Sequence, residues 1–151
     1  MRVSELMSRN VMTIAESETC YEAVERMCRA KVRHLPVLDR EGVLVGLVTD
    51  RDIRHRLFAS DVYHRVGQVP VSTLLRQAQI RDVMSAPVLC TSSESDVAAA
   101  AEEMRKEKIG SLPVVEGGRV VGIVTEIDIL RHICGTDACG DPGLDIVVSF
   151  P

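Results

Sequence analysis

A seven-residue pattern that occurs twice is the feature that most limits how this chain can fold. Residues 46–52 read Gly-Leu-Val-Thr-Asp-Arg-Asp, and residues 122–128 read Gly-Ile-Val-Thr-Glu-Ile-Asp. In each copy, an apolar run typical of a buried strand ends at a threonine, and a helix pattern begins near the aspartate three residues later. The duplication predicts two similar strand-to-helix junctions and therefore two equivalent pockets.

The segments around this pattern are duplicated as well. Residues 3–8 match residues 80–85, and short extended pieces follow at 10–13 and 87–90. A helix and a hairpin of two strands come next in each half. The order strand, helix, strand, strand, helix therefore occurs twice, as expected for a tandem structural repeat.

Each half contains an amphipathic helix with a clear start. Thr19 and Glu22 have the spacing of a capping box, and Asp96 is predicted to cap the second helix. Apolar residues at helical spacing predict the buried faces. These residues are Cys20, Ala23, Val24 and Met27 in the first helix and Val97, Ala100, Ala101 and Met104 in the second.

These elements predict an α/β (α+β) protein of two β-α-β-β-α repeats. We assign residues 1–57 to the first repeat and 80–134 to the second. The linker, 58–79, is predicted to contain a loop over 61–70 and a short helix over 71–78. The tail, 135–151, is turn-rich and ends in a possible strand over 144–150.

Composition excludes several classes of protein. A chain of 151 residues with 46% hydrophobic residues can bury a substantial core. The net charge of -4 and the lack of a basic stripe argue against nucleic-acid binding. No apolar run is long enough for a membrane helix, and the N-terminus lacks an apolar signal region, so we expect a cytoplasmic protein.

The cysteines and histidines predict no metal site. The five cysteines follow no zinc spacing and are expected to be buried or half-buried thiols in a reducing compartment. Reactive thiols at Cys134 and Cys139 are the alternative. The histidines His55, His64 and His132 are expected on the surface.

The two repeats, each with an apolar-Pro-Val strand and a Gly-x-Val-Thr-x-x-Asp junction, resemble a tandem pair of CBS domains, or Bateman module. The resemblance implies two repeats packed with pseudo-twofold symmetry around two clefts. It implies an adenosine ligand such as AMP, ADP or ATP, with S-adenosylmethionine or NAD as alternatives. It also implies a homodimer, which we expect to form through the helices containing residues 52–57 and 128–133.

The junction chemistry suits a nucleotide. A carboxylate accepts two hydrogen bonds from a ribose diol, and Asp52 and Asp128 are placed for this role. The hydroxyls of Thr49 and Thr125, about one helical turn before the aspartates, can reach the ribose or the α-phosphate. A helix N-terminus at the same place favours phosphate. Alternatively, each Thr-x-x-Asp only caps its helix, and the two roles can coexist.

The resemblance assigns further site residues. It implies that Arg33 and His34 contact phosphate, although they are also consistent with a solvated strand start, and that Gly110 and Ser111 lie close to the other site. Because Arg51 adds a cation beside Thr49 and Asp52, we expect that site to bind phosphorylated ligands more tightly. Borders of the adenine slot are expected at Val11, Met12 and Thr13 and at Val88, Leu89 and Cys90.

The sequence contains no nucleophile paired with a base and no phosphate-binding glycine loop of the Walker type, so we do not expect an enzyme. We expect a regulatory nucleotide-sensing module that changes its packing on binding and signals to an unidentified protein partner. One alternative is a dimerisation scaffold without a physiological ligand. Another is a weak enzyme or redox-sensitive protein that uses the tail cysteines.

Overall fold

The structure is a computed structural model that describes residues 1–135. A short 3₁₀ turn, Ile80–Asp82, precedes the second half. The helices are α1 (Val3–Leu6), α2 (Cys20–Ala30), α3 (Asp50–Leu57), α4 (Ser60–Tyr63), α5 (Val71–Gln77), α6 (Val97–Glu107) and α7 (Glu126–Ile133). The strands are β1 (Ile14–Ala15), β2 (His34–Leu38), β3 (Leu44–Thr49), β4 (Ser111–Glu116) and β5 (Arg119–Thr125).

Helices α2 and α6 begin where their capping residues predict. The Glu22 carboxylate accepts a hydrogen bond from the Thr19 amide at 2.8 Å, and the Thr19 hydroxyl accepts one from the Glu22 amide. The Asp96 carboxylate accepts from the Ala98 amide at 2.7 Å. Both predicted caps are confirmed, since each satisfies amides that the first turn leaves without partners.

Each half contains a small sheet built around a hairpin. Strand β2 pairs with β3 in antiparallel register, with His34 opposite Thr49, and β4 pairs with β5 with Ser111 opposite Thr125. Strand β1 adds in parallel to β2, and a parallel bridge at Thr91 is its counterpart in the second half. The extended pieces were predicted a few residues too early, at 10–13 and 87–90.

The segment that leads into each repeat packs against the other half of the molecule. Ser8 forms an antiparallel bridge to Ile123 on β5, whereas Ser85 forms one to Leu47 on β3. Val3 belongs to the apolar core around α6, β4 and β5, and Ile80 belongs to the core around α2, β2 and β3. The two lead segments are therefore exchanged between the halves.

Glycine is required where each lead segment crosses a strand. A Cβ atom on Gly122 would lie 2.5 Å from Met7 Sδ and 3.2 Å from the Ser8 carbonyl oxygen. Gly46 meets the same restriction, because its Cβ would lie 2.5 Å from Met84 Sδ. The glycine that opens the repeated sequence pattern thus permits close backbone approach.

The linker differs in part from its prediction. The helix expected over 71–78 is confirmed as α5, whose Leu74 is buried. The loop expected over 61–70 is wrong at its start, where α4 forms. The predicted strand over 144–150 and Cys139 lie outside the described residues.

Within residues 1–135, no helix combines the length and apolar character needed to cross a membrane.

Candidate functional site

The two strand-to-helix junctions have the same local geometry. At the second junction the Asp128 Oδ2 atom accepts hydrogen bonds from the Thr125 amide at 2.8 Å and the Thr125 hydroxyl at 2.7 Å. At the first, the Asp52 Oδ2 atom accepts from the Thr49 amide at 2.9 Å. Both motifs are reciprocal capping boxes, so the capping role is confirmed at each junction.

The helix cap uses only part of the hydrogen-bond acceptor capacity of each aspartate carboxylate. The backbone bond is made by Oδ2 in both aspartates. A carboxylate has about four acceptor positions on its two oxygens, and a cap uses only one or two of them. Both side chains are half-buried. The geometry is therefore compatible with a second role for Asp128 and Asp52 as acceptors of ligand hydroxyls.

A cavity of about 350 Å³ opens at the second junction. Its size is near the lower end of the range, about 300–1,000 Å³, that is usual for small-molecule sites. Both halves of the chain contribute to the lining. The first half supplies Ser8, Asn10, Val11, Met12, Lys31, Val32, Arg33 and His34, and the second supplies Gly110, Ile123, Thr125, Glu126, Ile127, Asp128 and Arg131.

The structure brings together seven of the residues that the sequence analysis selected. They are Val11, Met12, Arg33, His34, Gly110, Thr125 and Asp128. The remaining eight selected residues are not part of this lining: Thr13, Thr49, Arg51, Asp52, Val88, Leu89, Cys90 and Ser111. The cavity is therefore formed by the second junction together with the start of strand β2 in the first half.

This distribution corrects the expected arrangement of Arg33, His34 and Gly110. The three residues share one cavity, although Gly110 was expected near a different site from the other two. The Arg33 carbonyl accepts a hydrogen bond from the Asp50 amide at 3.2 Å, which fixes the backbone beside the first junction. The His34 side chain extends to the second half, where Nε2 lies 3.5 Å from the position of a Cβ on Gly110.

Sequence reasoning missed several cavity residues, although one signal was available. Arg131 follows Asp128 by three residues on α7, so helical spacing places the two on one face. Lys31, which ends α2 in a left-handed conformation with φ of 54°, has no comparable local signal. Its position in the cavity depends on how the halves pack.

The cavity carries an excess of positive charge. Lys31, Arg33 and Arg131 face two acids in the lining, Glu126 and Asp128. The positive end of the α7 helix dipole lies at the same junction, although the Glu126 and Asp128 amides already donate to the Gly110 carbonyl and the Thr125 hydroxyl. An anionic group is therefore the ligand chemistry that this end of the cavity favours.

His34 is the cavity's titratable group near neutral pH. Burial lowers its pKa from the ordinary value of 6.5, and the neighbouring Arg33 lowers it further. The carboxylates of Asp50, Glu126 and Asp52 act in the opposite direction. His34 is therefore mainly neutral at pH 7 and able to gain a proton if an anion binds beside it.

Ser111 occupies the position in the second half that matches His34 in the first. Its side chain is buried, and within residues 1–135 its Oγ atom has no hydrogen-bond partner. Its role near a ligand stays a prediction.

The thiols only partly match their prediction. Cys20 is buried as expected, whereas Cys28, Cys90 and Cys134 are exposed, which corrects the expectation of buried or half-buried thiols. Cys28 follows Cys20 by eight residues and lies in the last turn of α2. His55, His64 and His132 are exposed as predicted. Within the described part of the chain, no three His, Cys, Asp or Glu side chains are grouped to hold a metal ion.

Comparison with known proteins identifies the fold. The family model of the CBS domain matches the chain twice, over residues 3–59 and 80–135. The CBS domain-containing protein YhcV of Bacillus subtilis is 31% identical over 138 residues, which cover 91% of this chain and 89% of the relative.

Two crystal structures with bound ligands have the same fold. The CBS domain pair of protein MJ0100, in complex with 5'-methylthioadenosine and S-adenosyl-L-methionine, is 28% identical with a TM-score of 0.72, covering 89% of this chain and 97% of that one. CBSX2 in complex with AMP is 25% identical with a TM-score of 0.71, covering 89% and 96%.

Other relatives are much longer than this chain. The chain spans 32%, 44% and 24% of the length of three of them, and the last is a homoserine O-acetyltransferase from Methanococcoides burtonii. The match to that enzyme covers only its CBS part.

Proposed function

Since this chain belongs to the CBS domain family, we propose that it is a regulatory module whose cavity at the Thr125 junction binds an adenosine nucleotide. AMP, ADP and ATP are the candidate ligands. The observation that carries the proposal is the composition of this cavity, to which the second half supplies the Asp128 carboxylate and Arg131 and the first half supplies Lys31 and Arg33. The proposal assigns no catalytic step to the chain.

Each part of a nucleotide has a matching group in the lining. The Asp128 carboxylate is the acceptor for the two ribose hydroxyls, with Thr125 beside it. Lys31, Arg33 and Arg131 supply positive charge for phosphate. An apolar wall suits adenine and is formed by Val11, Met12, Val32 and Ile123.

The charge of the cavity discriminates among adenosine compounds. S-adenosylmethionine carries a positive sulfonium, which three neighbouring cations disfavour, whereas a phosphate is favoured. NAD has two phosphates but also a second nucleoside, which needs more room than a cavity of about 350 Å³ provides. We therefore place both compounds behind the adenine mononucleotides.

The Thr49 junction is the proposed second site. Asp52 has the same cap as Asp128, and Arg51, Val88, Leu89 and Cys90 are its proposed neighbours. Since Arg33 and His34 line the other cavity, we propose the reverse of the sequence-based order of affinity. The Thr125 site is the tighter site for phosphorylated ligands.

A homodimer through α7 and α3 is part of the proposal. Ile127, Leu130 and Ile133 follow one another at intervals of three residues on α7 and are 38%, 53% and 72% exposed. Such an apolar stripe favours a partner surface. Ile127 also lines the cavity, so a bound nucleotide contacts the same helix that offers the stripe. Sedimentation of the Leu130→Glu variant tests the dimer, which we expect to dissociate.

Signalling requires that ligand and partner favour the same packing of the two halves. A nucleotide that contacts both halves stabilises one arrangement over others by its differential affinity. A protein partner that binds one arrangement more tightly than the other would respond to this change. Unpaired thiols at the four described cysteines fit action in the cytoplasm.

Isothermal titration with AMP, ATP, NAD and S-adenosylmethionine tests the proposed ligand class. We expect Asp128→Asn to weaken AMP about 10- to 100-fold, the effect of losing hydrogen bonds to a charged acceptor, about 1.5–3 kcal/mol. Glu22→Gln is the matched control, because Glu22 forms the same capping box on α2 without lining the cavity. Its AMP affinity should remain that of the parent chain.

Two outcomes contradict the proposal. If none of the four compounds binds at millimolar concentration, the module is a dimerisation scaffold. If Asp52→Asn abolishes AMP binding and Asp128→Asn leaves it unchanged, the principal site is at the first junction.

A further inference from the structure

A second cavity, of about 180 Å³, lies beneath the linker and shares no lining residue with the first. It is enclosed by α3, α4, α5 and the first residue of α2. Its lining residues are Cys20, Ile53, Arg56, Leu57, Asp61, Val62, Arg65, Leu74, Leu75, Gln77 and Ala78. The linker, 58–79, has no counterpart in the second repeat, so this cavity belongs to one half only.

The volume of this cavity limits the size of its ligand. At about 30 Å³ for each water in the liquid, the space corresponds to about six water molecules. An adenine nucleotide, which we propose for the cavity of about 350 Å³, is too large for this one. A compound with about six to eight non-hydrogen atoms fits, so a ligand here differs in class from the adenosine compounds proposed for the first cavity.

The inner wall of the second cavity is apolar. Cys20, Ile53 and Leu74 are 0%, 3% and 4% exposed. Burial raises the pKa of the Cys20 thiol to about 11, so this side chain is uncharged at neutral pH and acts as part of the apolar wall. The favoured ligand therefore has an aliphatic part.

The polar part of the lining has more positive than negative charge. Arg56 forms a two-point ion pair with Asp61, with Nη1 3.2 Å and Nη2 3.1 Å from the two carboxylate oxygens. Arg65 instead donates from Nη2 to the neutral Gln77 amide oxygen at 3.0 Å. The lining thus holds two guanidinium groups and one carboxylate. Asp82 lies near enough to act on Cys20, but it is not part of the lining.

Hydrogen-bond donors are also in excess. Each guanidinium has five N–H donors, and the Arg56 Nε atom is buried without a partner among residues 1–135. A carboxylate group accepts two parallel hydrogen bonds from a guanidinium and neutralises its charge. The chemistry that completes this lining is a single carboxylate on a short apolar chain.

We propose that the second cavity is a binding site for a short aliphatic monocarboxylate, whose carboxylate pairs with Arg65 and whose chain lies against Ile53 and Leu74. The ligand joins α3 to the linker helices α4 and α5. Since α3 starts at the Thr49 junction, occupancy stabilises the helix that carries Asp52. This proposal is independent of nucleotide binding at the first cavity.

The test compares sodium pentanoate with its uncharged analogue pentanamide on the full chain. Titration followed by amide NMR signals should show pentanoate shifting residues of α3, α4 and α5, with pentanamide binding at least about tenfold more weakly. Arg65→Gln should remove this preference. Arg54→Gln is the matched control, since Arg54 lies on α3 with a side chain that is 66% exposed and does not line the cavity.

A filled cavity gives a second measurement. Ala78→Leu adds bulk to the lining and should abolish binding of both compounds while AMP binding is kept. Arg65→Gln decides the question alone if the filled variant does not fold. The proposal is overturned if pentanoate shifts no signals of these helices at millimolar concentration, or if Arg54→Gln and Arg65→Gln weaken pentanoate equally.

Discussion

The two strand-to-helix junctions are nearly identical in themselves and differ in what the opposite half brings to them. Thr49 with Asp52 and Thr125 with Asp128 form the same capping box at the end of the same hairpin. Across from the second junction, the first half supplies the cations Lys31 and Arg33. The matching position of Arg33 in the second half is Gly110, which has no side chain to offer.

This difference separates the residues that the fold requires at both junctions from those that distinguish one junction from the other. The capping box starts a helix in both halves, so the fold requires its residues whether or not a ligand binds. The strand starts at 33–34 and 110–111 form no capping box, and their residues are chemically different. Unequal sites thus arise from the residues between the repeated motifs.

The first prediction is that the two exchanged lead segments contribute equally to stability where they cross Gly122 on β5 and Gly46 on β3. Gly122→Ala and Gly46→Ala should each lower the free energy of unfolding by about 1–3 kcal/mol, because the new methyl group forces Met7 or Met84 and the adjacent backbone to move. Gly110→Ala is the control, since its Cβ would meet its nearest atoms at 3.4 Å, an ordinary contact.

Urea unfolding measures these costs, and hydrogen exchange locates them. Protection should fall mainly in β4 and β5 for Gly122→Ala and mainly in β2 and β3 for Gly46→Ala. The two crossings are not equivalent if the two variants lose clearly different amounts of unfolding free energy, or if protection falls in the half that does not contain the substituted glycine.

The different charge at the two sites gives a smaller effect, about 1.4 kcal/mol or tenfold in affinity. Arg33→Gln should weaken AMP about tenfold, because Arg33 lines the Thr125 cavity, while Arg51→Gln should change it less than about twofold. Adenosine, which lacks phosphate, should bind both variants as it binds the parent chain. An equal loss of AMP affinity in both variants would contradict the reversed order of sites.

The smallest expected effect is a pH dependence carried by His34. Because its folded-state pKa is lowered, the unfolded chain binds more protons below the ordinary value of 6.5. Stability should therefore decrease as pH falls below about 7, through the ordinary histidine pKa and toward the lowered folded-state pKa. A bound phosphate favours the protonated imidazole, so AMP affinity should increase over the same range.

Urea unfolding and AMP titration of His34→Gln check both trends. The variant should have flatter pH profiles than the parent chain, because the residue with the lowered pKa is gone. Ser111 at the equivalent position does not titrate in this range. Profiles that keep the parent slope in His34→Gln would assign the dependence to other groups.

Local sequence patterns predicted most of the fold because they involve residues close in the chain. The capping box of Thr19 and Glu22 is complete within one helical turn, and the repeat gave the order of the major elements. Helix α4 escaped prediction for the converse reason. Its N-cap, Ala59, makes no side-chain capping bond, so the four-residue helix has no start signal in its sequence.

The composition of the site required knowledge of how distant residues pack. Arg33 and Thr125 are far apart in sequence, and no spacing rule connects them. The repeat suggested that Arg33 and Gly110 serve separate sites, whereas in the structure both line one cavity. Motifs identified the junctions, and packing decided their neighbours.

The exchange of lead segments means that neither half is complete when taken alone. Residues 1–8 carry Val3 and Met7 to the second core, and Ile80 fills the first. A polypeptide with one such repeat has to trade these segments with a second molecule to close its core. Joining two copies in tandem makes that trade intramolecular, so folding no longer depends on protein concentration.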